Sequence, residues 1–259
     1  MLLLGLLTAA PALAQGPFWY HRALNGQGKG VKLSAQEPEE VRSVGNEEAG
    51  MAGKISGVEI EFITSSLQVK GIIYNNALQG QAKLAYVYGQ PTLIKPKGTT
   101  CKVTVGKNNI IKVFGHQAWT WNGEAAQLQE QPQLNQKPVM ILLGQELQQG
   151  AQGLPTNVPL FTVSFSGAGC VLAGAVGTVT GSIIEAVIAP ANLGEYRTQL
   201  AYGSRANGTK AHFWNGTSNI GVESQLKFNN ETAVFVQAQN VNTFGRQGNA
   251  AQEVALFGD

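Results

Sequence analysis

The sequence predicts an all-β, antiparallel fold, a β-sandwich or partly closed barrel interrupted by a long Gln/Pro-rich excursion. Three observations carry this. Apolar residues recur with period two, which places them on one side of a pleated strand. Asn-Gly pairs at Asn25, Asn122, Asn207 and Asn215 supply the positive-φ residues that tight hairpins need. No long segment combines helical periodicity with capping signals.

Composition agrees. Of 259 residues 13% are charged and 32 are Gly. That charged fraction is about half the globular average and argues against a coiled coil. A chain of this length can bury enough surface to fold without a metal or a dense disulfide framework. The net charge of +2 is too small to imply nucleic-acid binding. The single Asp is Asp259, which removes Asp-rich calcium loops, aspartic-protease dyads and Asp-based phosphoryl chemistry.

Taken in chain order, Leu2 to Leu13 form an apolar run ending in Ala12-Leu13-Ala14 before Gln15. A small-x-small triplet after such a run is the shape a signal peptidase cuts. Residues 1–14 are therefore expected to be a signal peptide cleaved near Ala14-Gln15, leaving a secreted or cell-envelope protein. The run is too short for a bilayer, which needs roughly 20 apolar residues. No transmembrane segment is expected in the mature chain. No Lys or Arg precedes the run, so the true start is expected upstream of Met1.

Residues 15–259 read as a single β-rich domain. Strand-like alternation marks Val58–Phe62, Leu84–Tyr88, Cys101–Val105, Phe161–Phe165 and Val222–Phe228. Two halves, roughly 17–123 and 160–259, flank an irregular excursion over 124–159 that holds four Pro, three Gly and one short apolar run, Val139–Leu143. Outside the cytoplasm an even pair of cysteines is expected to form a disulfide, Cys101–Cys170; two buried thiols or a Cys nucleophile are the alternatives. Gly167, Gly169 and Gly174 lack the Lys-Ser or Lys-Thr of a phosphate loop and read as turn positions beside that bridge.

Charge is segregated. Seven Glu lie between Glu37 and Glu61, whereas Phe62 to Gly123 holds seven Lys and no acid. Lys95, Lys97, Lys102, Lys107 and Lys112 are candidate contacts to a polyanion. The alternative is that acidic strands lie beside basic ones and neutralise them.

Three histidines, His21, His116 and His212, each precede an Asn-Gly turn and sit among aromatics. None has the i,i+2 or i,i+4 partner common in His-based sites, so no metal or other cofactor is expected. Trp19, Trp119, Trp121 and Trp214 are candidate ligand-stacking or surface aromatics, because a pyranose packs its apolar side on an aromatic ring. The competing reading is that they are core. No catalytic residue is selected. Glu185, Glu195 and Glu223 lie near apolar residues and are the acids that a Glu-pair polysaccharide hydrolase would draw on. Asn207, Asn215 and Asn230 begin Asn-x-Thr sequons.

Several stretches carry a resemblance: Gly16-Pro-Phe-Trp-Tyr-His-Arg22, Gln68-Val-Lys-Gly71, Gln90-Pro-Thr-Leu-Ile-Lys-Pro96, Trp121-Asn-Gly123, Glu130-Gln-Pro-Gln133, Gly167-Ala-Gly-Cys-Val-Leu-Ala-Gly174 and Pro190-Ala-Asn-Leu-Gly-Glu195. Together they resemble a group of uncharacterised secreted proteins from soil actinobacteria of the Thermoleophilia kind. The resemblance implies a bacterial source, export and a cysteine pair, and it transfers no activity. The expected role is a non-enzymatic extracellular or envelope protein that contacts an envelope polysaccharide, another anionic polymer or another protein, or is purely structural. A secreted polysaccharide hydrolase is the alternative. N-terminal sequencing of exported protein should begin near Gln15, and an intact Met1 would refute the signal-peptide reading.

Overall fold

The computed structural model describes residues 16–21, 30–36, 38–44, 49–121, 137–155, 157–189, 198–201, 210–237, 242–246 and 254–257. The proposed signal segment and the first third of the excursion, 124–136, lie outside them. The described residues form twenty strands, β1 to β20 in chain order, and no helix. Every ladder is antiparallel. A small sheet joins β1 (Phe18–His21) to β2 (Val31–Lys32) and β20 (Val254–Phe257). The other seventeen strands form one connected sheet.

Within that sheet the ladders follow two circuits. The first links β3 (Glu39–Val44), β6 (Leu67–Asn75), β7 (Gly80–Tyr88), β10 (Ile110–Thr120), β11 (Pro138–Leu143), β13 (Val176–Ala189), β14 (Thr198–Ala201) and β19 (Asn242–Arg246), which pairs with β3 again. The second links β4 (Ala49–Ile55), β5 (Val58–Thr64), β8 (Thr92–Lys95), β9 (Lys102–Val105), β12 (Pro159–Ser166), β13, β17 (Gln225–Phe228) and β18 (Glu231–Gln237), which returns to β4. Both circuits draw strands from each half of the sequence, so the halves are interleaved. The hairpin of β15 (Lys210–Trp214) and β16 (Asn219–Glu223) attaches to the end of β10.

Alternation sets which side chains turn inward. On β5, Ile60 and Phe62 are buried while Val58 and Glu59 are exposed; on β9, Val103 and Val105 are buried and Lys102 is exposed. These residues join Leu67, Ile73, Leu84, Leu142, Val163 and Phe228 in one core that runs through both circuits. The result is an all-β, antiparallel fold wrapped around one apolar core.

Two sequence expectations need correction. The run Val139–Leu143 inside the supposed irregular excursion belongs to β11, and its five residues are at most 1% exposed. It shows no alternation because both faces are covered: Met140 and Leu142 enter the main core, while Val139, Ile141 and Leu143 form a second cluster with Phe213 and Val222 of the β15–β16 hairpin. Val222–Phe228 is two strands, broken at buried Ser224, whose hydroxyl donates to the Ser182 carbonyl at 3.1 Å.

The Cys101–Cys170 disulfide is formed and ties the approach to β9 to the β12–β13 turn. Gly167, Gly169 and Gly174 all have positive φ in that turn, as turn residues should. The bridge spans 69 residues, and closing a loop of that length restricts the unfolded chain by about 4 kcal/mol. Replacing both cysteines by serine, or adding reductant, should lower the melting temperature by roughly 8–15 °C for a domain of this size. An unchanged calorimetric transition would show that the bridge does not constrain the unfolded state.

Candidate functional site

The strongest surface feature lies on the outer face of the first circuit. Cross-strand register places Arg42 opposite Lys70, Lys70 opposite Ala85, and Ala85 opposite Lys112. Paired residues share a face, so three cations form a row across β3, β6, β7 and β10. At about 4.8 Å per strand, Lys70 and Lys112 stand roughly 10 Å apart. The next row is Glu40, Ile72, Lys83 and Phe114. Both rows line a shallow groove of about 460 Å³. Lys83 is engaged, 3.6 Å from Glu146 and 6.0 Å or less from the ring centroids of Tyr74 and Phe114. Lys70 and Lys112 are exposed and have no ion-pair partner among the described residues.

Of the five lysines singled out in the sequence, Lys112 is the one that lines this groove. Lys95 lies 3.1 Å from Glu61 on the neighbouring strand, which is the neutralisation that the charge segregation allowed. Lys97, Lys102 and Lys107 are exposed around β8, β9 and the β9–β10 turn. Lys70 could be recognised only through the pairing of β6 with β3 and β7, which the sequence does not state.

The aromatic–histidine clusters converge in part. The register sets Trp119 against His212. Trp121 meets the His212 ring edge-on at 6.5 Å and 78°. It also lies beside Gly221, where a Cβ would come within 2.5 Å of its ring, so a side chain there would have to displace the ring. Trp19 closes on the same end, donating its indole N–H to the Gln81 carbonyl at 3.1 Å. Trp19, Trp119 and Trp214 are at most 7% exposed, and Trp121 alone of the four keeps appreciable surface. The His21 side chain lies outside the described residues.

His116 and His212 are buried, and burial lowers both to a pKa of about 4, so both are neutral near pH 7. His116 Nε2 accepts from the Leu147 N–H at 3.2 Å. Among the described residues no group of three His, Cys, Asp or Glu could hold a metal. Asn215 is buried and its side chain caps the β15–β16 turn, accepting from Thr217 N–H and Ser218 N–H and donating to the Ala151 carbonyl.

Glu185 is sealed inside the first circuit at 0% exposure. The Tyr86 hydroxyl donates to its Oε1 at 2.9 Å, and its Oε2 has no partner. Burial raises its pKa to about 8, against a smaller lowering by the Tyr86 hydrogen bond. Burial and this carboxyl together push the Tyr88 phenol up. A glycosidase needs two carboxyls across an open cleft. Glu185 faces no cleft, Glu223 is exposed on β16, and Glu195 lies outside the described residues.

No protein-family model, curated protein or solved structure matches the chain.

These buried groups set a pH dependence. Glu185 binds its proton more tightly folded (about 8) than unfolded (near 4.5). Its contribution is complete below pH 4.5 and is lost as pH rises through 8. His116 and His212 act oppositely, contributing fully above 6.5 and losing that as pH falls through about 4. Between 4.5 and 6.5 two imidazoles outweigh one carboxyl, so stability should peak near pH 6.5 and fall on both sides. Glu185→Gln should remove the alkaline decline, raising the melting temperature at pH 9 by on the order of 5 °C. Parallel thermal melts of both proteins across the range check this; superimposable profiles would refute it.

Proposed function

We propose that this is a non-enzymatic, extracytoplasmic binding protein whose cationic sheet face contacts an anionic polymer of the cell envelope. The observation that carries the reading is the Arg42–Lys70–Lys112 row over a groove crossing four strands. An extended polyanion fits such a surface, since it can meet several fixed cations at once and release its own counter-ions. The disulfide suits an oxidising compartment, and no helix among the described residues is long and apolar enough to cross a membrane. The resemblance to secreted actinobacterial proteins points to the same location. The polysaccharide-hydrolase reading gains nothing from Glu185, because a sealed carboxyl cannot reach a glycosidic bond.

Soluble poly(glycerol phosphate) tests the proposal. The mature protein should bind it with an affinity that falls as salt rises. The exposed double variant Lys70→Glu/Lys112→Glu should bind roughly 10-fold or more weakly while melting like the parent. Absence of binding, salt-independent binding, or an unchanged double variant would overturn it.

A further inference from the structure

A second feature lies further along the outer face of β7 and is chemically different. Gln81 pairs with Tyr74 on β6 and with His116 on β10, two residues before Lys83. Here a half-open cavity of about 100 Å³ is enclosed by the β6–β7 turn, the β15–β16 turn and residues 147–149. Phe213 and Trp214 give it an aromatic wall. Its rim is held in place: Asn76 Oδ1 accepts from the Leu78 and Gln79 N–H groups at 2.8 and 2.7 Å, and Asn215 caps the opposite turn.

The polar side chains at this cavity carry no net charge. They are Asn and Gln amides and His116, which burial keeps neutral. Gln81 is 4% exposed with Nε2 lacking any partner, and Gln79 is 3% exposed with Oε1 lacking one. A buried amide atom without a partner costs about 1–3 kcal/mol, and turning either terminal amide toward the cavity would give it a ligand group that both accepts and donates. Hydroxyls do both. A charged ligand would lose its hydration here and find no counter-charge. The room suffices for several waters, or for one edge of a sugar ring with the rest in solvent.

We infer that this cavity binds one neutral pyranose residue of a glycan, its hydroxyls meeting Gln79 and Gln81 and its apolar side meeting Trp214. The site is separate from the cationic row and stands without it. Free glucose, galactose, mannose and N-acetylglucosamine, titrated into the mature protein and followed by the Trp214 indole NMR signal, test this. At least one should give a saturable shift with a dissociation constant on the order of 1 mM. Gln81→Leu should weaken it 10-fold or more. Gln149→Ala, on the exposed rim and harmless to folding, should weaken it about 3-fold. Salt and the Lys70→Glu/Lys112→Glu variant should leave it unchanged, whereas both disrupt the polyanion site. If none of the four sugars saturates by about 100 mM, the cavity holds water only and the inference falls. It also falls if galacturonate binds more tightly than galactose, or if both cavity variants bind like the parent.

Discussion

The architecture depends on one strand serving two circuits. β13 pairs with β12 and β17 through Val176–Ser182 and with β11 and β14 through Ile183–Ala189. A strand that changes partners midway must twist sharply, and just before the change stands Gly181, with φ of +107°. A Cβ there would lie 1.8 Å from the Gln225 carbonyl oxygen, so no other residue fits without moving β17. Ser182 and Ser224 hydrogen-bond at the same corner, where the chain leaves β16 for β17. The two circuits that meet at this junction differ in what they carry: the first bears the cationic groove, and the second the disulfide.

Much of this was legible in the residues. Period-two runs located β5, β7, β9 and β12 because each has one wet and one dry face. β11 was not legible, since covering both faces erases the alternation that reveals a strand. Among the Asn-Gly pairs, Asn215-Gly216 falls at a described turn, between β15 and β16; Asn25, Asn122 and Asn207 lie outside the described residues. The β4–β5 and β17–β18 hairpins instead turn on Ser56-Gly57 and Asn229-Asn230, both with two successive positive φ values. That conformation is open to Asn and Gly, and here Ser56 takes it as well. The exposed lysines were readable from alternation, but the row that unites Lys70 and Lys112 is a product of register between strands far apart in sequence.

Electrostatics divides the molecule in a way composition alone does not show. The buried ionisable groups with resolved shifts are held in their uncharged forms near neutral pH: Glu185 protonated, His116 and His212 deprotonated. Burial is the first cause in all three, which is the expected response of a charge with no close counter-ion in an apolar interior. Charge is therefore kept off these three buried side chains, while over the whole sequence 18 basic and 16 acidic residues nearly cancel. What distinguishes one face from another is placement. Glu61 neutralises Lys95 and Glu146 engages Lys83, while Lys70 and Lys112 form no ion pair with a described carboxylate.

The two proposed sites then acquire a geometric relation. Gln81, Lys83 and Ala85 are alternate residues on the same face of β7, so the polar cavity and the cation row are separated by about 13 Å along the strand. Glu146 stands between them, bridging Lys83 and accepting a hydrogen bond from the Tyr74 hydroxyl at 3.3 Å, and the next residue, Leu147, donates to His116. A polymer that alternates neutral sugars with anionic groups at comparable spacing would meet complementary chemistry at both positions. Linking two weak contacts on one chain makes the second effectively intramolecular, so neither site need bind tightly alone. That consideration favours an extended glycan bearing acidic substituents over either a free sugar or a bare polyphosphate.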